Sequence, residues 1–566
     1  MKSKKYTIGV DFGTLSARAV LVDVQSGEVA CDAVSEYRHG VIDRTLPKTG
    51  EALPKDFALQ DPADYIESFR SAVSGVIKTS GVDPDDIIGV GIDFTCCTLI
   101  PIKSDGTPLC FLDEFADEPH AYVKLWKHHA AQGYADRFNE IAEKICPELL
   151  ERFGGKVSPE WLFPKAMEII DHAPAVYENA DYLVEAGDYI TYLLTGTLTR
   201  GYAFAAYKTL YHHETGYPSK EILAAIDPRL ENIVETKLGG PIIHTAQKAG
   251  NVDTLSRERF GVAPDEPWLP SGIAVSCPLP DAHSVAAALN ASHDGDMFAI
   301  LGTSSNYMLA SSKYQIIDGI CGVVKDGLYP GFYAYESGLC CFGDHFAWAV
   351  ENICPARYHE EAARLGVSDI QYLSDKVEKK APGESGVIAL NWFNGNRNPL
   401  TDYSLSGAFI GMTLATTPED LFRALVEANA FGTRLIIENF EDHGVKVERM
   451  TAAGGITFKS PFVMQTLADV LGKELHGSSY LHSGALSSAI YAAVAAGRAA
   501  GGYDELSDAC AAMSDPCPRV FTPNMRAHEI YNEIYREYIT LVDYFGRGAN
   551  DVMKRLRKIS SKKGNA

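Results

Sequence analysis

YTIGVDFGTLSARAVLVDV, residues Tyr6–Val24, is the stretch from which the rest of the chain can be read. Five residues of β-type composition run into Asp11, and Gly13-Thr14 then turns the backbone. A second run sets Ala17, Ala19 and Leu21 against Arg18, Val20 and Val22, and Ser26-Gly27 turns it into a third. Alternation broken by Gly and Asp predicts consecutive antiparallel strands. Asp11 closes a buried strand, Gly13 allows close approach of a ligand, and Thr14 and Ser16 add hydroxyls beside free N–H groups. An acid for a magnesium ion beside a donor-lined turn suits a nucleotide triphosphate tail. Taken alone, a strand ending in Asp-x-Gly-Thr is more often an ordinary hairpin.

A second copy changes the balance. MFAILGTSSNYMLA (297–310) repeats the plan: an apolar strand, Gly302-Thr303, hydroxyls at Ser304 and Ser305, then another strand. A third glycine turn, Gly454-Gly455, follows the apolar run ending at Ala453. The first two turns are about 290 residues apart. The repetition predicts two domains of like plan facing one ligand.

The bulk numbers agree with a large globular protein. The 566 residues suffice for two domains with ample cores, and 46% hydrophobic with 22% charged content is ordinary. The net charge of −23 argues against nucleic acid and anionic membranes as partners, because no basic field neutralises phosphates. Lys554, Arg555, Arg557, Lys558, Lys562 and Lys563 read as a solvated basic tail. The first strand begins too early for a signal peptide, and no apolar run reaches the ~18 residues of a membrane span. The 12 cysteines are scattered without C-x-x-C, and the neighbours Cys96-Cys97 and Cys340-Cys341 do not suit ordinary disulfides. Reduced thiols in the cytoplasm are the expectation.

Along the chain, Asp61-Pro62 predicts a helix N-terminus, with Ile66, Phe69, Val73, Val76 and Ile77 on one apolar face up to Gly81. The strand Ile87 to Asp93 delivers Phe94, Thr95, Cys96 and Cys97 at its carboxyl end, where open α/β sheets present ligand groups; two small cysteines packing there is an equal reading. From about Asp105 to Gly261 the pattern turns helical and irregular, as insertions building a substrate cleft would. Asp281 opens a small-residue helix (Ser284 to Asn290) either as an N-cap or as a base whose ionised form the helix terminus supports; His283 reads as structural. Thr417-Pro418-Glu419-Asp420 has the capping-box pattern of a long helix ending near Gly444. Ser460-Pro461 opens another helix, and GALSSAIYAAVAAG (484–497) reads as a tightly packing small-residue helix.

These motifs resemble the FGGY carbohydrate kinase family, within the superfamily of actin- and hexokinase-type ATPases. GGITFKSPFVMQTLADVLG (454–472) carries the most specific likeness. The resemblance covers nearly the whole chain. It implies an α/β fold of two ribonuclease-H-like domains: 1–291 with the insertions of about 105–261, 292–550, and then the basic tail 551–566. It implies a nucleotide and sugar cleft between the domains. It also implies ATP and Mg2+, with Asp11 orienting the metal, Gly13, Thr14, Ser16, Arg18, Gly302, Thr303 and Ser304 at the phosphates, and Gly454, Gly455 and Lys459 bordering the adenosine. Asp281 would be the base that takes the sugar hydroxyl's proton. SPEWLFPKAMEII (158–170), YLVEAGDYITYLLTG (182–196) and GYAFAAYKTLYH (201–212) resemble segments of members that phosphorylate L-ribulose at O5 in arabinose breakdown. In that group Lys208, a lysine that would otherwise read as solvated in a loop, touches the sugar, as does Glu336 of YAYESGLCCFGDH. NGNRNP (394–399) resembles the loop closing over the nucleotide. Cys96 and Cys97 stand at the sugar position, where the family usually has smaller or more polar residues. A small-molecule ketopentose is thus the expected partner, and a homodimer stays open.

Other nucleotide folds fit badly. There is no G-x-x-x-x-G-K-[ST] or H-E-x-x-H, and Gly89-Val90-Gly91 lacks a third glycine. Asp11-Phe12-Gly13 copies the protein-kinase triplet, but nothing upstream supplies a glycine-rich loop. Residues 94–98 carry neither the Arg-Glu polyol clamp of glycerol kinases nor the Met-His-Gly of xylulokinases. Xylulokinase or a ribitol-type kinase remains the alternative, as does an actin-like or chaperone-like ATPase without a sugar acceptor.

Overall fold

The computed structural model describes residues 4–563. They form two compact units. The first comprises the chain up to Ser292, Val324–Ala334 and His482–Asp515; the second comprises His293–Val323, Tyr335–Leu481 and the described residues from Pro516 on. The chain passes between the two units five times, where the sequence reading has a single break near residue 291, and the first sheet shows why residues 482–515 return to the first unit.

That sheet begins as the opening residues predict. Tyr6–Phe12 pairs antiparallel with Ser16–Asp23, which pairs antiparallel with Val29–Glu36. On its other side Tyr6–Phe12 runs parallel to Ile87–Phe94, and Ile87–Phe94 runs parallel to both Ala274–Ser276 and Leu279–Pro280. One face is covered by the helix Pro62–Ser80, capped by Asp61, whose side chain accepts from the Ala63 N–H. The other face is covered by the helix Ser483–Ala500. Gly9 and Gly91 are register partners on adjacent strands. A Cβ on Gly9 would lie 1.8 Å from the Ala485 carbonyl oxygen, and one on Gly91 2.0 Å from that of Ser488. Glycine strands and a small-residue helix thus meet backbone to backbone. The Thr7 hydroxyl adds a hydrogen bond to the Ala489 carbonyl at 2.9 Å. This contact assigns residues 482–515 to the first unit although the chain reaches them last.

The second unit repeats the plan. Asp296–Leu301 and Ser305–Ser311 form the antiparallel pair, and Asp296–Leu301 runs parallel to Arg449–Ala453, which runs parallel to Leu475–Gly477. The helix Pro418–Asp442 starts with the capping box at Thr417 and Asp420. At the far end, Val552–Lys563 is a helix rather than a loose tail: Met553 is buried and Lys554 pairs with Asp402 at 2.7 Å. Residues 564–566 of the tail 551–566 lie outside the described residues. No described helix is long and apolar enough to cross a membrane.

The insertion is less purely helical than its sequence pattern. Val123–Lys124 and Tyr182–Glu185 join Leu59–Gln60 and Leu99–Ile102 in a second, antiparallel sheet. Its core also starts earlier than residue 105, since Ile42, Leu46, Phe57 and Leu59 pack with Phe138, Phe163, Met167 and Leu183. Within it lies a buried polar cluster. The Lys124 ammonium reaches Glu168 at 3.0 Å and His120 Nδ1 at 3.0 Å, and His128 Nε2 lies 2.9 Å from Glu168. The Ala58 N–H donates to His128 Nδ1, so His128 is neutral and donates from Nε2 to Glu168. Burial, with Lys124 beside both rings, pushes His128 down to about 4 and His120 to about 3, while Lys124 and His128 hold Glu168 at about 2 despite its burial.

The unfolded chain binds protons on these histidines from pH ~6.5 downward, and the folded chain does not until pH ~4. Stability therefore falls as pH drops through that window, by about 1–3 kcal/mol for His128 alone. His128→Gln keeps one acceptor for Ala58 and one donor for Glu168. Denaturant midpoints measured from pH 7 to 4 are expected to slope less steeply in this variant than in the parent.

Candidate functional site

The carboxyl ends of the first sheet's strands gather three acids. Asp11 and Asp93 are register partners, and Asp93 is in turn paired with Leu279, two residues before Asp281. Asp93 interacts electrostatically with both Asp11 and Asp281. Asp93 is fully buried; its Oδ2 accepts from the Ser488 hydroxyl at 2.6 Å, and its Oδ1 has no hydrogen-bond partner. Burial, followed by the charge of Asp11, raises the Asp93 carboxyl well above the usual range. Gly484, in the first turn of the helix Ser483–Ala500, sits against both groups: a Cβ there would be 3.2 Å from the Asp11 carboxyl carbon and 3.3 Å from Asp93 Oδ1.

The turn Gly13-Thr14 is clamped. Tyr37 donates to the Gly13 carbonyl at 3.0 Å, Gln60 to the Thr14 carbonyl at 2.7 Å, and the Trp126 indole N–H to the Thr14 hydroxyl at 3.2 Å. The Arg18 guanidinium lies over Gly13, where a Cβ would approach it to 3.2 Å, and pairs with Asp11 at 3.0 Å. Ser16 is buried at the start of the next strand.

Asp281 is the first residue of the helix Asp281–Ala288 rather than its N-cap, a place taken by Pro280. Leu279–Pro280 is paired to Ile87–Phe94, and helical geometry begins directly after it at Asp281, one residue earlier than the N-cap reading requires. Asp281 Oδ1 accepts from the Ala282 N–H at 2.7 Å. His283 is buried with its ring 4.3 Å from that of Tyr207, as its structural reading expects.

Lys208 is neither solvated nor in a loop: it ends the helix Tyr202–Lys208, is 5% exposed, and lies over the Trp161 ring at 5.7 Å. The helix buries Tyr207 and Phe204, which carries the lysine inward with them. Its charge acts on Cys97, which burial otherwise pushes strongly up. Lys208, Cys97 and Cys96 are thus neighbours in one region of the first unit.

In the second unit the turn Gly302-Thr303-Ser304 joins its two antiparallel strands, with Thr303 exposed. The N–H groups of Phe342, Gly343 and Asp344 donate to the Thr303, Gly302 and Thr303 carbonyls. Gly454 has φ 99° and packs its backbone against Leu301, where a Cβ would be 2.5 Å from the carbonyl oxygen. The glycine turns at 302 and 454 are therefore adjacent in this unit. A short helix, Gly455–Lys459, precedes the one opened by Pro461, and leaves Lys459 exposed. Glu336 is buried on the strand Tyr333–Leu339. In the loop 394–399, Asn398 bridges the Gly338 N–H and the Gly319 carbonyl, and Arg397 reaches Asn306 at 3.3 Å.

Sequence reasoning passed over Asp93, Gln60 and Trp126. Asp93 had a usable signal, an acid ending a wholly apolar strand. Trp126 had none, because its partner Thr14 is 112 residues away.

Comparison with known proteins completes the picture. The chain is 45% identical to a ribulokinase of Halalkalibacterium halodurans over 557 residues, covering 98% of each. It is 46% identical to a ribulokinase of Bacillus licheniformis over 547 residues, 97% of this chain and 98% of that one. A ribulokinase of Mycolicibacterium smegmatis is 43% identical over 558 residues. Among solved structures, a xylulose kinase from Rhodospirillum rubrum superimposes with a TM-score of 0.76 at 23% identity, covering 95% of this chain and 98% of that one. A gluconate kinase from Lactobacillus acidophilus superimposes at 0.77 and 19% identity, covering 96% and 99%. These two show the shared fold. Residues 6–269 match the N-terminal domain and residues 297–496 the C-terminal domain of one family, and with the paired glycine turns and strand-end acids they make this chain a member of the FGGY family of carbohydrate kinases.

Proposed function

We propose that the chain transfers the γ-phosphoryl group of ATP to the O5 hydroxyl of L-ribulose, yielding L-ribulose 5-phosphate for arabinose breakdown. The observation that carries this reading is the near-full-length similarity to proteins named ribulokinase. Phosphoryl transfer is mostly positioning and charge stabilisation, and the roles divide accordingly. Thr14 and Arg18 at the clamped turn bind phosphate, joined by Gly13 and Ser16. From the second unit Gly302, Thr303 and Ser304 serve the phosphates, and Gly454, Gly455 and Lys459 the adenosine. Lys208 and Glu336 hold sugar hydroxyls, with Cys96 and Cys97 beside them.

Asp281 is the base. Its Oδ1 is engaged by the Ala282 N–H, which orients the carboxylate. The carboxylate then receives the O5 proton as the O5–P bond forms and the bond from the γ-phosphorus to the β–γ bridging oxygen breaks, with ADP leaving. A positioned base contributes about 10²–10⁴-fold. The acids also fit a magnesium ion: Asp93 Oδ1 is buried without a partner, and a cation facing it and Asp11 would relieve their repulsion. When bound, that ion neutralises charge on the phosphates.

ADP release measured with L-ribulose, D-ribulose, D-xylulose and ribitol tests the assignment. L-Ribulose is expected to exceed D-xylulose in kcat/KM by about tenfold or more. A D-xylulose preference would reassign the acceptor. ATP hydrolysis indifferent to every sugar would mean that the acceptor reading fails altogether.

A further inference from the structure

The residues after strand Ile87–Phe94 hold their side chains in an unusual relation. Successive residues in extended chain point to opposite faces. Cys97, however, has φ 58°, in the left-handed region, and its Sγ lies only 4.0 Å from Cys96 Sγ. Non-glycine residues keep this conformation only where their surroundings enforce it. Here they do. The Lys165 ammonium, wholly buried, donates to the Cys97 carbonyl at 2.5 Å and to the Leu125 and Lys124 carbonyls at 2.9 and 3.2 Å. The Thr98 N–H donates to buried Glu185 at 3.0 Å, and the Thr95 and Thr98 hydroxyls pair at 3.1 Å. The two thiols are therefore presented side by side on a turn that is fixed from below.

Their spacing is close to that of a chelate. Two sulfurs bound to one pyramidal trivalent arsenic, with bond angles of about 100° and the ~2.3 Å bond lengths of thiolate ligands, stand about 3.5 Å apart, about 0.5 Å closer than these two thiols. Cys96 is half-buried and offers the entry point, while Cys97 is 2% exposed and would close the ring from beneath. We propose that Cys96 and Cys97 form a bidentate site for thiophilic ions of the trivalent arsenical class, and that occupation of this site blocks the sugar end of the first unit. The blocking half rests on the sugar-kinase reading, through Lys208, whose charge acts on Cys97; the binding half does not.

The chemistry needs no oxidant. An organoarsenic oxide, R–As=O, condenses with two thiols: two As–S bonds form, and the oxide oxygen leaves as water with both thiol protons. Arsenic stays trivalent.

Phenylarsine oxide, intact-protein mass and the kinase assay provide the test on the full chain. The parent is expected to retain one adduct against excess monothiol and to release it to 2,3-dimercaptopropanol. Cys96→Ala and Cys97→Ala should each weaken retention by about 100-fold or more, because a chelate has become a single bond. Cys340→Ala, in the other neighbouring pair, should retain the adduct. Saturating L-ribulose should slow adduct formation, and the adduct should abolish sugar-dependent ADP release. Retention undiminished in the Cys96→Ala, Cys97→Ala double variant, or no retained adduct in the parent, would overturn the site. A retained adduct with unchanged sugar turnover would overturn the blocking while leaving the ribulose assignment intact. If no sugar were phosphorylated, the mass measurements would still decide the binding.

Discussion

Asp281→Asn is expected to lower turnover with L-ribulose by about 10²–10⁴-fold while leaving the affinity for ATP near that of the parent. The substitution changes little except basicity. Asn has the same shape, and its carbonyl oxygen can accept from the Ala282 N–H as Asp281 Oδ1 does. The helix Asp281–Ala288 thus keeps its first turn, and the neighbouring pair of His283 and Tyr207 is untouched. On the proposed mechanism, what is lost is the site for the O5 proton. Because proton transfer belongs to the transition state and not to sugar binding, kcat should fall much further than KM rises. Steady-state rates, with a separate titration of nucleotide binding, read the two apart. A variant with near-parental turnover would reduce Asp281 to a helix-initiating residue and leave the reaction without its base.

The elements legible in the sequence were those whose cause is local. The turns at Gly13 and Gly302 declare themselves by glycine followed by hydroxyl residues between two apolar runs, and both join antiparallel strands. Asp61-Pro62 and Thr417-Pro418 announce helix starts through capping chemistry confined to four residues. What stayed hidden depends on groups distant in the chain. Lys208 reads as an ordinary surface lysine until Tyr207 and Trp161 are seen to draw it inward. Asp93 gains meaning only from Asp11 and Ser488, the latter 395 residues away. The insertion's small sheet escaped notice because Leu59–Gln60 and Val123–Lys124 are two residues each, too short for any alternation to show. The small residues of 484–497 foretold close packing, yet composition cannot name the surface packed against.

That surface makes the second large effect. Gly91→Ala places a methyl 2.0 Å from the Ser488 carbonyl oxygen, a backbone atom with no rotamer to move aside. The helix Ser483–Ala500 must lift, and the Ser488–Asp93 hydrogen bond lifts with it. Overpacking of this kind costs about 1–3 kcal/mol, and the strained contact lies where one helix joins His482–Asp515 to the first unit. The loss should therefore appear as a lower denaturant midpoint and as earlier proteolytic release of that segment. Gly133→Ala supplies the contrast. Gly133 lies in the helix Gln132–Ile145 with nothing within 4 Å of its added methyl, so the same substitution should stabilise by about 0.5–1 kcal/mol. If Gly91→Ala and Gly133→Ala had equal midpoints, the strand and helix would not be in backbone contact. The position of Gly484 against Asp11 and Asp93 would then lose its support, because it depends on the same close approach.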